Sequence, residues 1–422
     1  MGNSAYWEKM YRTMGRPPLP DTLVGFNVNL DRVITVDRAL LDSPFMNSPL
    51  RAELRERLIA SMRTCTANEW FMEDGTAYRS LVDAFSRYGT LRIGGQAGIS
   101  ALNLAGLGVG RVICVMQAPG GKTVAILSGQ KGIELPLLDG PVQGPDCVHL
   151  VFEYRPGIVP STDCAVPRNN RLIVSPLHRP ETVLLPEKSL ARVVTDSGSC
   201  RRAFLSGFQY LRRRDEFTRA ATLVREIKKL NYGLRVHAEW ASVSDPGVID
   251  NFVRHILPVV DSAGMNEHEL ALTMKIAGGN PATTSVSELF PEEIAASALA
   301  LASGTGLARL HVHTLGFYLV VIRDDILRPE ESLRALLFAS KVAAESAGRG
   351  RAAIPASGLE AVDRISACYS SAATPWILQA DGYFLIPVPT LIAPDVRNTI
   401  GLGDILSSTA FVADPLRVLS GT

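Results

Sequence analysis

From about Pro180 to its end the chain alternates short apolar runs with amphipathic stretches: AFLSGFQYL, EFTRAATLVREIKKL, LRVHAEWA, a helical segment near Pro246 to Leu257, then VVDSAGMN. Parallel strands cannot be joined by tight turns and need a crossover, so strands alternating with helices predict a mainly parallel sheet covered on both faces. A similar unit occurs earlier. Arg92 to Val115 reads as a Gly-rich turn, a small-residue helix (AGISALNLAGLG) and a buried strand (RVICVM). An apolar strand, Leu23 to Asn29, and two charged helical stretches, Ser48 to Thr64 and Gly75 to Tyr88, fill the first part, and Thr123 to Gly157 breaks into short runs separated by Gly and Pro. The expected fold class is α/β: a doubly wound core with a smaller β-rich lid. The core is assigned residues 1–25, 94–118 and 181–422, the lid 26–93 and 119–180.

Composition narrows the function classes. With 422 residues, of which 46% are hydrophobic, the chain can bury a large core, and 43 Lys and Arg against 42 Asp and Glu leave no global field to attract nucleic acid or an anionic membrane. The six cysteines form no Cys-x-x-Cys pair and no zinc-like spacing with His, and the start MGNSAYWEKMYR has no apolar signal core, so a cytoplasmic protein with reduced thiols is expected. Its Arg212-Arg213-Arg214 run reads as the solvated start of a helix.

The chemistry concentrates near the C-terminus. An apolar strand leads into Asn398-Thr399-Ile400-Gly401-Leu402-Gly403-Asp404 and then a small-residue helix. Glycines let backbone N–H groups approach a ligand, and a helix N-terminus favours an anion. Asp404 can be a base or merely the cap of that helix. In LRVHAEWA, alternation puts His237 and Glu239 on one strand face, where buried polar groups need partners. Asn266 and Glu269 stand where a helix should begin: they fit a capping box, or Glu269 joins Glu239 in holding Mg²⁺ partly through water. Two motifs mislead. Ala118-Pro119-Gly120-Gly121-Lys122-Thr123 ends like a phosphate-binding loop but has Met116 where the first glycine belongs, and reads as a hairpin turn. Gly106, Gly108 and Gly110 follow a helix, so they end it and bind no dinucleotide.

Nine ordered blocks, GFNVNLDRV, RIGGQAGISALNLAGLG, HLVFEYRPG, PRNNRLIVS, FLSGFQYL, VHAEWAS, VDSAGMNEHEL, RLHVHTLGFYLVV and NTIGLGD, together resemble the ADP-dependent sugar kinases, the glucokinases and phosphofructokinases with a ribokinase-like fold. The resemblance implies transfer of a nucleotide's terminal phosphoryl group, with ADP as donor and Mg²⁺ as cofactor, to a hydroxyl of a sugar, a sugar phosphate or a nucleoside. It implies that Asp404 is the base, that Gly401 and Gly403 form an anion hole, and that Arg171 contacts the transferred phosphate. His237, Glu239 and Glu269 become metal-related, Asn266, Thr399 and Gly401 nucleotide-binding, and Asn29, Asp31, Gly94, Gly95, Gln96 and His149 sugar-binding. The chain departs from the family at Asn169, where a Glu is frequent, and at SPLHRPE, where His178 and Arg179 replace an acidic segment. These basic groups suit a phosphorylated substrate. ATP as donor, or a catalytically silent sugar or nucleotide sensor on the same fold, are the competing readings.

Overall fold

The computed structural model describes residues 3–65, 68–116, 119–136, 145–158, 166–177, 182–241, 243–277, 289–325, 328–372, 374–397 and 400–416. One sheet has eleven strands. In spatial order these are Ser370–Ser371, Leu378–Ala380, Tyr383–Pro389, Phe317–Arg323, Arg309–His313, Ser262–Asn266, Arg235–Glu239, Arg202–Leu205, Thr22–Gly25, Val112–Val115 and Ile133–Glu134. The run from Arg309–His313 to Ile133–Glu134 is parallel, and the other end is antiparallel. Its order reverses at Thr22–Gly25: the next two strands in the chain to join this sheet, Val112–Val115 and Ile133–Glu134, lie on one side, and all later strands lie on the other. Ligand crevices in open α/β sheets form at such switch points, beyond the carboxyl ends of the strands.

Helices Gln96–Gly106, Leu402–Ala413 and Pro329–Ala347 pack side by side, and Arg214–Leu230, Pro246–Asn251, Glu267–Ile276, Pro291–Thr305 and Ala356–Cys368 form a second layer. Local chemistry fixes their starts. Asp245 accepts from the amide of Gly247 at 2.8 Å with Pro246 at the first helical position, and Asn266 and Glu269 close a reciprocal capping box. Among the described residues no helix is long and apolar enough to cross a membrane.

The second sheet has five strands, in the order Asn68–Met72, Asn170–Pro176, Val148–Tyr154, Asn29–Thr35, Thr90–Gly94. One of its faces carries Ile34, Leu150, Phe152, Leu172 and Val174, which build their own apolar cluster with Leu54, Leu58, Leu81 and Phe85 of the helices Pro49–Thr64 and Gly75–Ala84. Alternation then puts Asp31, Arg92, His149, Glu153 and Arg171 together on the opposite face.

Three expectations are corrected here. The segment Leu23 to Asn29 is not one strand: it gives Thr22–Gly25 to the large sheet, and Asn29 opens a strand of the small one. Residues 119–136 do not belong to the lid, because Ile133–Glu134 pairs in the large sheet beside Val112–Val115. The GGKT motif is not a hairpin turn but the start of the helix Gly121–Ser128. Its N-terminus does bind an anion, the chain's own: Asp146 accepts from the Thr123 amide at 2.9 Å and the Thr123 hydroxyl at 2.8 Å.

Candidate active site

Asp404 is not a helix cap. Gly401 holds that position in left-handed conformation at φ +70°, and a side chain there would run into Ile99, so Asp404 falls in the first turn of Leu402–Ala413. Among the described residues its carboxylate takes no hydrogen bond and no ion pair. Although partly accessible from the cleft, it is crowded enough that desolvation raises its pKa to about 6, with Arg171 opposing the rise and Asp31 adding to it. Gly403 also has a reason: a Cβ there would press on Nε2 of His313, at the carboxyl end of its strand. Asn398 and Thr399 lie outside the described residues.

Behind Asp404, the parallel register puts His237 opposite Ser262 and Glu239 opposite Gly264. Glu239 is buried; its Oε2 lies 2.8 Å from Nε2 of His237 and accepts from the Ser407 hydroxyl at 2.5 Å. Burial holds the Glu239 pKa well above the usual carboxylate range, with the Ser407 hydrogen bond opposing it and the negative charges of Asp404 and Glu269 pushing the same way. The three carboxylates therefore converge. His237 is kept neutral by burial, Arg309 and His313 reinforcing it, and its Nδ1 lies 2.8 Å from the Ser262 hydroxyl. Both ring nitrogens of His237 are thus engaged by protein groups, Ser262 and Glu239. Glu269 spends one oxygen on the amide of Asn266 at 2.8 Å, and among the described residues no three His, Cys, Asp or Glu groups are disposed to hold a cation directly.

The lid side is built on Asn29 and Asp31. Asn29 donates through Nδ2 to Oδ1 of Asp31 at 2.7 Å, both buried. Gly94 pairs with Asn29 and leaves no room for a side chain beside the Asp31 carboxylate, while Gly95, at φ +74°, lies against the Asn27 carbonyl and the Asn29 amide. Gln96 donates to the Trp240 carbonyl at 2.8 Å. Oδ1 of Asn29 and Oε1 of Gln96 are buried acceptors with no partner among the described residues, the kind of atom that a ligand hydroxyl satisfies. His149 stands beside Asp31 in the neighbouring strand. Burial raises the Asp31 pKa to about 6, against the Asn29 hydrogen bond and the charges of Arg92 and Arg171. Arg171 is itself pulled below the usual arginine range by burial, and the charge that most opposes this is Asp404, followed by Glu153, Asp31 and Glu69.

Glu69 was not singled out from the sequence. Burial pushes it to about 7, Ser175 donates to it at 2.5 Å, and Asp31 and Arg171 act on it with opposite signs. The alternation of NEWFM was its only signal, because its pairing with Asn170–Pro176 joins segments about a hundred residues apart.

Residues 20–413 match the conserved region of ADP-specific phosphofructokinase/glucokinase. The chain belongs to this family. Among its members, the ADP-dependent glucose/glucosamine kinase of Pyrococcus furiosus is 26% identical, over 97% of this chain and 98% of its own length. An ADP-specific phosphofructokinase of the same organism is 28% identical over 78% of this chain and 79% of its own. In fold the family's solved members agree: an ADP-dependent kinase in complex with fructose-6-phosphate and ADPβS superposes with a TM-score of 0.84 at 22% identity, covering 100% of both chains. A hypothetical ADP-dependent phosphofructokinase of Pyrococcus horikoshii OT3 gives 0.75 at 21% identity over 94% of this chain and 98% of that one.

Proposed function

We propose that this chain is a sugar kinase that moves the β-phosphoryl group of ADP to a hydroxyl of a hexose or hexose phosphate, leaving AMP, with Asp404 as the base. The observation that carries this is the Asp404 carboxylate itself: unbonded within the described protein, raised to about 6, and under the opposing charges of Arg171 and Asp31 from the lid. A group so poised is ionised at neutral pH yet basic enough to accept a hydroxyl proton as the oxygen attacks phosphorus.

The chain's own residues supply the rest. Asn29, Asp31, Gln96 and His149 hold the sugar, the unpartnered acceptors of Asn29 and Gln96 taking hydrogen bonds from its hydroxyls. Arg171 lies against the charge that builds on the transferring phosphoryl group, and the Gly401 to Asp404 backbone at the helix N-terminus receives phosphate oxygens. Asn266, and Thr399 outside the described residues, belong to the nucleotide side. Catalysis of this kind is largely positioning and electrostatics.

Glu239, Asp404 and Glu269 put excess negative charge at the strand ends, which fits a divalent cation. Mg²⁺ keeps several waters and binds through one or two carboxylates and substrate phosphates, so Glu239 and Glu269 are enough protein groups for it. Glu239 and Glu269 would hold it through water, where Mg²⁺ neutralises phosphate charge. An acceptor panel of hexoses, hexose phosphates and nucleosides, assayed with ADP and with ATP, tests the reading: it requires AMP formation with a hexose or hexose phosphate, and turnover confined to ATP or to nucleosides overturns it.

A further inference from the structure

Behind the reacting groups lies a chain of buried polar side chains that ends on Glu239. Arg309, the first residue of its strand and only 1% exposed, donates through Nε to Oδ2 of Asp414 at 3.1 Å and through Nη1 to the Ser262 hydroxyl at 3.1 Å. The same hydroxyl lies 2.8 Å from Nδ1 of His237, whose Nε2 lies 2.8 Å from Oε2 of Glu239. Ser407, one turn after Asp404 on the same helix, donates to that Oε2 at 2.5 Å and stands 3.3 Å from the same Nε2. This cluster fills the space above Gly264: a Cβ there would overlap Oε2 of Glu239, Oγ of Ser407 and Nε2 of His237.

Proton counting orients the chain. A guanidinium only donates, so Ser262 accepts from Arg309 and its single hydrogen is available to Nδ1 of His237. The imidazole lies between Phe204, stacked at 5.1 Å, and Phe411 at 4.8 Å, surroundings that disfavour a charged ring. A neutral ring that accepts at Nδ1 carries its hydrogen on Nε2, which points at Glu239. Ser407 leads to the same orientation, since its hydrogen goes to Glu239 and leaves only lone pairs toward Nε2.

We infer that Arg309 and Ser262 are positioning residues: they fix His237 as the Nε2–H tautomer, which together with Ser407 locks Oε2 of Glu239 as a double acceptor. Its Oε1, unbonded by any described residue, is thereby held toward the cleft. Neither Arg309 nor Ser262 touches a reacting atom. Asp414 anchors the far end, so the helix that carries Asp404 in its first turn is tied just past its other end to the strand Arg309–His313, two places from the strand of Glu239 in the sheet. With Glu239 ionised, the neutral ring and its hydrogen bonds together fix the tautomer; only the link to the cation rests on the function proposed above. Partners that orient metal-site groups from behind typically change metal affinity 10- to 100-fold when removed.

The test uses the full chain labelled with ¹⁵N-histidine, without nucleotide or metal, with the His237 signals assigned through contacts to the Phe204 and Phe411 rings. Wild type should show a protonated Nε2 and an unprotonated Nδ1. Ser262→Ala removes the donor to Nδ1 and leaves only Glu239 and Ser407 to hold Nε2–H, so it should shift the Nδ1 signal and admit a minor Nδ1–H population, and Ser262→Thr, which restores a hydroxyl, should return the wild-type shifts. A protonated Nδ1 in wild type, or unchanged His237 shifts in Ser262→Ala, overturns the inference. In turnover assays Ser262→Ala should raise the Mg²⁺ concentration for half-maximal rate about tenfold, with Ser262→Thr near wild type. Mixed tautomers with an unchanged Mg²⁺ requirement would confirm the relay while refuting the role of Glu239 toward the cation.

Discussion

Arg171 on the lid sheet and Asp404 in the first turn of the core's last helix are each other's leading opposite charge. The pair joins two units with separate apolar cores, so a cation on the five-stranded sheet is matched to a carboxylate of the larger unit across the cleft. Replacing Arg171 by Met removes the charge that opposes the desolvation of Asp404. Because the base must be ionised, activity is lost as pH falls through its pKa, and the acid limb of kcat/KM, near pH 6 in the wild type, should move to higher pH. We expect kcat to fall about 10²- to 10³-fold. A pH–rate profile checks both.

Asp404→Asn separates function from stability. The folded protein raises the Asp404 pKa, so the group favours folding below the unfolded-state value, and that contribution is lost as pH rises through about 6. Removing the ionisable group should therefore stabilise the protein by about 1 to 3 kcal/mol at pH 8, with the difference vanishing below about pH 4. Chemical denaturation of both proteins at the two pH values measures it.

Gly264→Ala should be poorly tolerated for a reason local to the site. Its methyl group would displace Glu239, Ser407 and His237 together, at a cost of about 1 to 3 kcal/mol, the usual range for overpacking. Thermal or denaturant unfolding reads that loss, and the same variant should bind Mg²⁺·ADP more weakly in calorimetry.

Asn29→Ala removes the bond to Asp31 and an unpartnered acceptor on the sugar side. Its effect should fall on the acceptor, raising that KM about tenfold or more while the KM for ADP stays near wild type, because a buried group left unpaired costs about 1 to 3 kcal/mol. Steady-state kinetics with each substrate varied in turn distinguishes the two.

How far the sequence was legible depended on the range of the interactions. The helix of Arg214–Leu230 and the His237 to Glu239 strand announce themselves through periodicity, and the Asn266 to Glu269 box through spacing alone. GGKT misled because the carboxylate that caps its helix, Asp146, is 23 residues away from Thr123. Arg309, Ser262 and Ser407 looked like ordinary strand and helix residues. Their meaning depends on a parallel register that places Ser262 beside His237 and on a helix 168 residues away from Glu239, neither of which a local pattern encodes. The choice for Asp404 between cap and first turn rested on the backbone of Gly401.

The most direct test follows phosphorus. With ADP, Mg²⁺ and a hexose or hexose phosphate acceptor, ³¹P NMR should show the wild-type protein forming AMP and a new sugar phosphate ester one for one. Asp404→Asn should lose at least about 10³-fold in that rate while still binding nucleotide. Turnover in Asp404→Asn close to that of the wild type would contradict the assignment of Asp404 as the base.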